Sequence, residues 1–242
     1  MIIKTKINND TNNLNYLHII LQQYIIKNNY IGDITIDYNN KIRTNKHNLI
    51  PFLLCNHIIF KYIDTFQQNN KLLANNIRKQ VVYLSQDFDN ITCIGGESFI
   101  YPILLQNNNN NKNNKYKYNF YSNSNKLVLE AIHNFNIYCK NNYTHNNCKI
   151  INYNNNNNII NNIQFYNNLI LNLDCLNTNL LKNINNAHNI NNIIIINCKP
   201  NDFWKKLKLL HKYKLKKRYK FYVLNSTYSQ SYFITVNLLQ KI

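Results

Sequence analysis

Residues 90–105, NITCIGGESFIYPILL, run as an apolar strand, a Gly-Gly turn and the apolar start of a helix. Gly95 and Gly96 stand where a first strand would turn toward a ligand. Glycine there permits positive φ and lets backbone N–H groups approach closely. The chain has only 3 Gly, so two adjacent at one strand end are informative, although a plain tight turn accounts for them equally well. Glu97, one of two glutamates, follows directly and is placed to accept hydrogen bonds from a bound amino-acid moiety.

Downstream of this turn the same alternation repeats. KYNFYSNSNKLVLEAIHNFNIYC (117–139) reads as a strand entering a helix with Leu127, Ala131, Phe135 and Tyr138 on one face. CKIINY (148–153) is a third strand, NLILNLD (168–174) a fourth and NIIIIN (192–197) a fifth, with an Asn-rich helix around Leu180–Ile190. A basic helix follows from Asp202 to about His211. The chain closes on YKFYVL and SYFITVNLL, an antiparallel hairpin around the polar NSTYSQ. VVYL (81–84) is a further strand candidate, and the Asn tracts at 107–111 and 154–158 are loops. Strands alternating with helices at this period indicate βαβ units. The expected class is α/β: a Rossmann-like, mainly parallel sheet over residues 81–242 with a C-terminal antiparallel hairpin. Other doubly wound folds fit the pattern nearly as well.

Residues 1–80 read differently, as a mostly helical extension with a short β element. Leu14, Leu17, Ile20, Leu21, Tyr24 and Ile25 recur at helical spacing within 11–29, and IGDITIDYNNKI (31–42) alternates as a strand or hairpin would. From Leu49 to Asn76 the spacing of Leu53, Leu54, Ile58, Phe60, Ile63 and Phe66 favours helix, in one piece or two. No motif with chemistry occurs there.

The 242 residues are enough for one domain with an extension and a continuous core. Asn is roughly a quarter of the chain. With Ile, Lys and Tyr it reflects AT-rich codons, as in a large DNA virus, an organelle or a parasite, so apolar periodicity carries more weight than single Asn residues. The 28 Lys and Arg against 10 Asp and Glu give a formal charge of +18. A polyanion partner follows naturally, since distributed positive charge attracts phosphate backbones; codon drift toward Lys is the competing cause. The 6 Cys (Cys55, Cys93, Cys139, Cys148, Cys175, Cys198) show no CxxC spacing. That argues against a metal site and for a reducing compartment. With no signal-peptide core and no long apolar window, the expectation is a cytoplasmic protein, in the host cytoplasm if viral.

Two strand ends carry candidate chemistry. Asp174 ends LILNLD, where a carboxylate would face the crevice at the sheet's carboxyl edge. Cys198 ends NIIIIN just before Pro200 and Asp202 open a helix. Lys199 and the helix N-terminus could lower the thiol pKa and so make it nucleophilic; a buried structural cysteine is the plainer alternative.

Asp174-Cys175-Leu176-Asn177, then Asn197-Cys198-Lys199-Pro200, a helix with spaced leucines and a terminal hairpin together resemble the RNA uracil-5-methyltransferases, a branch of the class I S-adenosylmethionine-dependent methyltransferases. The resemblance covers roughly residues 82–242, and its sharpest motif is NCKP. It implies S-adenosylmethionine as cofactor, held at Gly95, Gly96 and Glu97 and, at the second strand end, by Ser122 or Asn123. It implies that Cys198 adds to C6 of a uracil in RNA while Asp174 orients the base. The sequence departs from the family in four places. The glutamate expected in the hairpin falls near Ile234, the turn after Asp174 lacks its Arg and prolines, the second strand ends in Tyr-Ser-Asn-Ser without an acid, and the glycine turn reads Gly-Gly-Glu. Together these departures imply catalysis lost or changed.

The basic run 205–220, KKLKLLHKYKLKKRYK, sets cations among Trp204, Tyr213, Tyr219 and Tyr222. Lys199, Lys205, Lys206, Lys208, Lys212, Lys214, Lys216, Lys217 and Arg218 are the candidate RNA contacts: lysines neutralise phosphates and aromatics stack on unpaired bases. The competing function is a non-catalytic RNA-binding or structural protein that uses this basic surface alone.

Overall fold

The computed structural model describes residues 2–4, 35–38, 41–44, 49–54, 57–62, 71–108, 117–138, 148–152, 163–172, 178–198, 200–223 and 232–242. The chain divides into two compact units, Met1–Thr65 and Phe66–Ile242. In the first, β1 (Ile2–Lys4), β2 (Thr35–Tyr38) and β3 (Lys41–Thr44) form a small sheet, parallel between β1 and β2 and antiparallel between β2 and β3. The ITIDYNNKI stretch is thus a hairpin, one of its two expected forms. The helix read over 11–29 lies outside the described residues.

The helix expected from Leu49 is not formed. The chain instead makes an antiparallel pair, β4 (Leu49–Leu54) and β5 (His57–Tyr62). A run such as LIPFLL satisfies helical and strand spacing equally. Pro51 settles the matter, because it costs about 3 kcal/mol inside a helix but is tolerated in a two-stranded pair, where one edge is open. Burial then alternates along β5, with Ile59 and Lys61 inside.

The second unit begins with α1 (Lys71–Leu84). VVYL is therefore the last turn of this helix and not a strand: Ile77, Arg78, Val81 and Val82 recur three and four apart on its buried face, and that periodicity outweighs the β-propensity of four residues. The Rossmann-like core follows in chain order: β6 (Asn90–Ile94), α2 (Ile100–Asn108), β7 (Lys117–Ser122), α3 (Asn125–Tyr138), β8 (Cys148–Asn152), β9 (Asn168–Asn172), α4 (Thr178–Asn186), β10 (Asn192–Asn197), α5 (Pro200–Leu207), β11 (Tyr213–Val223) and β12 (Tyr232–Lys241). Its seven strands lie in the order β11-β12-β10-β9-β6-β7-β8. The five from β6 to β10 run parallel, while β12 is antiparallel to both β10 and β11.

Uninterrupted apolar runs such as Leu169–Leu171 and Ile193–Ile196 suit strands covered on both faces. On one face Leu180, Leu181 and Ile184 of α4 and Phe203 of α5 pack with Ile94, Leu171, Ile193, Ile195 and Leu239. The other face carries Tyr118 stacked on Phe135 of α3, and Phe120 edge-on to Phe99 at the entry to α2. At the amino edge the abundant Asn has a structural use. Asn168 donates to the Asn90 carbonyl, Asn192 to Asn168 and Gln240 to Asn192, an amide chain across four strands.

Tyr213 sits at the foot of the hairpin, only 6% exposed, its hydroxyl 3.2 Å from the Ile190 carbonyl. Burial pushes its pKa up to about 12 from the usual 10.0. The folded state thus holds this proton more tightly than the unfolded chain. Its contribution to stability is complete below pH 10 and is lost as pH rises from 10 to 12. Denaturant melts should show that decline, and Tyr213→Phe should flatten it; an equal slope in both proteins would exclude Tyr213 as the cause.

Candidate functional site

All five parallel strands present their carboxyl ends at one edge. The chain leaves β6 toward β7 and β8 on one side, then returns to β9 and β10 on the other, so strand order reverses between β6 and β9. A crevice at such a switch point is where open α/β sheets bind ligands.

The glycine turn lies at this point. Gly95 and Gly96 have φ of 74° and 51°, values that favour glycine. The Gly95 N–H donates to the Tyr121 carbonyl at 2.9 Å, fastening the turn to β7. Gly96 leans the other way: a Cβ there would stand 2.8 Å from Asn172 Nδ2 and 2.9 Å from the Asn172 carbonyl oxygen. The turn thus spans β7, β6 and β9, with its backbone drawn tight against Asn172.

Glu97 has a partner that sequence reasoning missed. Its carboxylate takes a hydrogen bond from Arg78 Nη2 of α1 at 2.5 Å, with both residues buried (8% and 6% exposed). Arg78 Nη1 donates in turn to Asn75 Oδ1. The carboxylate expected to meet a ligand therefore also anchors the turn to α1. A signal existed: the chain contains three Arg among 28 basic residues, and one standing on the apolar face of a helix is as exceptional here as the glycines. Next in the turn, Ser98 is fully buried and its hydroxyl has no hydrogen-bond partner among the described residues.

At the end of β7, Ser122 is fully buried and its Oγ accepts the Ser124 N–H at 3.1 Å. Ser124 Oγ in turn accepts the Leu127 N–H, capping α3. Ser122 thus shapes the turn, while Asn123 beside it is exposed. On the far side of the crevice, β9 ends at Asn172 and β10 at Asn197. Asp174 and Lys199 lie outside the described residues. Cys198 follows β10 directly, half-buried and not in a disulfide, two residues before α5 begins. Only β9 separates β10 from β6, so the glycine turn and Cys198 stand about 10 Å apart by two strand spacings. They face the same edge.

The hairpin meets this edge through Asn197, which pairs with Thr235 of β12, and Thr235 pairs with Lys220 of β11. Ile234, where the resemblance places an acid, is fully buried. The hairpin sequence contains no acidic residue at all. On the inner side Asn237 Nδ2 donates to Thr235 Oγ1 at 2.9 Å.

The basic run keeps the expected order of helix then strand, but with a shorter helix and a longer strand. The helix read to His211 stops at Leu207, and from Tyr213 the chain is the edge strand β11. Alternation in YKLKKRYKFYV, supported by its long pairing with β12, outcompetes helix. Its cations are consequently divided. A register shift between Leu215 and Lys217 inserts Lys216 as a bulge. Lys214 and Lys217 then lie on the α1 face, Lys217 Nζ being 5.8 Å from the Tyr83 ring centroid. Arg218 lies on the α5 face, its guanidinium 4.7 Å from the Trp204 ring centroid. Lys205, Lys206 and Lys208 belong to α5 and its end, whereas Lys212 is at the amino edge, its carbonyl accepting the Ile242 N–H. Tyr213 is core and not a stacking surface.

No protein-family model matches the chain, and neither does the sequence of any curated protein. Solved structures do match. The chain is similar to the Pyrococcus abyssi tRNA (uracil-54, C5)-methyltransferase in complex with S-adenosyl-L-homocysteine, at 17% identity and TM-score 0.63 over 88% of this chain and 52% of that one. It thus spans about half the length of that enzyme. It is also similar to M. jannaschii TYW2 in complex with AdoMet (11% identity, TM-score 0.58, 87% of this chain and 94% of that one). A third match is the M. jannaschii tRNA m1G37 methyltransferase (13% identity, TM-score 0.57, 90% and 66%). Together with the sheet order and closing hairpin, these likenesses give residues 66–242 the class I S-adenosylmethionine-dependent methyltransferase fold. No described helix is long and apolar enough to cross a membrane.

Proposed function

We propose that this chain is a divergent S-adenosylmethionine-dependent, methyltransferase-like protein that binds RNA in the cytoplasm and whose uracil-type catalysis is impaired. The observation that carries this reading is the placement of the glycine turn and Cys198 at one carboxyl edge, on either side of the strand-order reversal. The tight backbone at Gly95 and Gly96 suits a cofactor, with Asn123 available beside it for ribose hydroxyls and Ser122 holding that turn in shape. Glu97, steadied by Arg78, would receive the amino-acid end. The cofactor supplies an electrophilic methyl group.

Cys198 is the nucleophile of this reading. Its thiolate bonds to C6 of a uracil and pushes the C5=C6 electron pair toward C5, with Asp174 orienting the base. Release of a C5-methylated product needs a base to remove the C5 proton, so that the electron pair re-forms C5=C6 and expels the sulfur. Buried Ile234 cannot serve, which leaves the adduct slow to resolve. The same feature favours a second reading, a non-catalytic RNA-binding protein on this fold.

Two measurements separate them. Calorimetry should detect S-adenosylmethionine binding, and RNA containing 5-fluorouridine should give a covalent band that Cys198→Ser abolishes. No heat with the cofactor, combined with RNA binding that weakens steeply with salt, would leave only the second reading. Heat without a band would remove the uracil mechanism alone.

A further inference from the structure

Folding sorts the cations of β11 by face and by end, and one group is set apart from the rest. Lys220 pairs with Thr235, which pairs with Asn197, so Lys220 stands level with the carboxyl edge, two strands from the end of β10 that Cys198 follows. Pleating puts Arg218, Lys220 and Tyr222 on a single face, the one that α5 covers with Trp204, and Phe233 of β12 joins them opposite Tyr222. Cations and rings interleave across this face: Arg218 over Trp204 at 4.7 Å, Lys220 Nζ over Phe233 at 5.6 Å, and Tyr222 beside Phe233 at 6.0 Å between centroids. Both ends are open, Trp204 being 41% and Tyr222 60% exposed.

An exposed Trp and Tyr with cations between them combine flat apolar surface with positive charge on one face. Flat rings flanked by cations match unpaired nucleotides, whose bases stack and whose phosphates pair with the charges. A duplex presents no such free base faces. We propose that Trp204, Arg218, Lys220, Tyr222 and Phe233 form a stacking platform for single-stranded RNA leading into the crevice at Cys198. Bases lie on Tyr222 and Trp204, and phosphates on Lys220 and Arg218. Lys212 and Lys214, at the amino edge, take no part. This rests on the RNA reading above and adds to it the strandedness of the RNA and where it lies.

The chain contains 1 Trp, so its fluorescence reports on the platform directly. Titration of the full chain with a 12-nucleotide oligouridine should quench Trp204, whereas a perfect duplex of equal length should bind without comparable quenching. Tyr222→Leu should weaken oligouridine binding roughly 5- to 100-fold with little change in salt dependence. Lys220→Gln should lower the slope of log affinity against log salt by about 0.7, and Lys214→Gln should change neither. Circular dichroism melts matched to wild type confirm that each variant is folded, and Tyr222→Phe should retain binding. Oligouridine binding without quenching, or Lys214→Gln as damaging as Lys220→Gln, overturns the platform while leaving RNA binding intact. Failure of the wild type to bind any RNA overturns both.

Discussion

Gly96→Ala should destabilise the protein by about 2–5 kcal/mol, combining a positive-φ penalty of about 1–2 kcal/mol with about 1–3 kcal/mol of crowding. The first contribution follows from its φ of 51° and the second from Asn172, whose side-chain and backbone atoms would lie within 2.9 Å of the new carbon. Urea denaturation measures the loss. Gly96→Ala/Asn172→Ala should recover only part of it, because the Asn172 carbonyl oxygen and the backbone conformation stay. A loss under about 1 kcal/mol would mean that the turn relaxes away from β9 at little cost, and the tight cradle assigned to the cofactor would go with it.

Arg78→Met should cost about 3–5 kcal/mol, since it strands the Glu97 carboxylate in the interior without its counter-charge. The pair is buried on both sides and joins α1 to the glycine turn. Replacing both partners together, Arg78→Met/Glu97→Leu, should restore most of the stability, because two apolar groups leave nothing unsatisfied. If the single variant loses under about 1 kcal/mol, the pair is behaving as a solvated surface contact. The double variant also divides the roles of Glu97. A stable double variant with cofactor binding unchanged would make the carboxylate purely structural, while stability without cofactor binding supports its proposed ligand role.

Most of the Rossmann-like unit could be read from residues 90–242 before any coordinates. NITCI, KYNFYS, CKIIN, NLILN and NIIIIN became the five parallel strands, and the hairpin closed the sheet. The glycine turn was legible for a compositional reason: in a chain so biased toward Asn, two adjacent glycines resist the drift. Cys198 was legible by position alone, at a strand end before Pro200.

The errors fell where a local pattern admits two answers. LIPFLL and VVYL exchanged helix and strand, and in the basic run the helix expected to reach about His211 ends at Leu207, while the hairpin strand β11 begins earlier than expected, at Tyr213. Each is a short apolar or alternating stretch whose period does not decide, so the winner is set by what it packs against. Arg78 stood out by its rarity, but its pairing with Glu97 was not legible, because the two lie 19 residues apart in different elements.

From its sequence alone this chain determined the alternation of elements, the location of the glycine turn and the absence of an acid in the closing hairpin, since all three are local or compositional. Only the tertiary structure decided that Gly96 abuts Asn172, that Arg78 holds Glu97, and that Lys220 stands at the crevice edge while Lys214 does not. Those facts depend on strand register and on contacts between residues far apart in the chain, and pairing a strand one residue differently would turn every side chain on it to the other face.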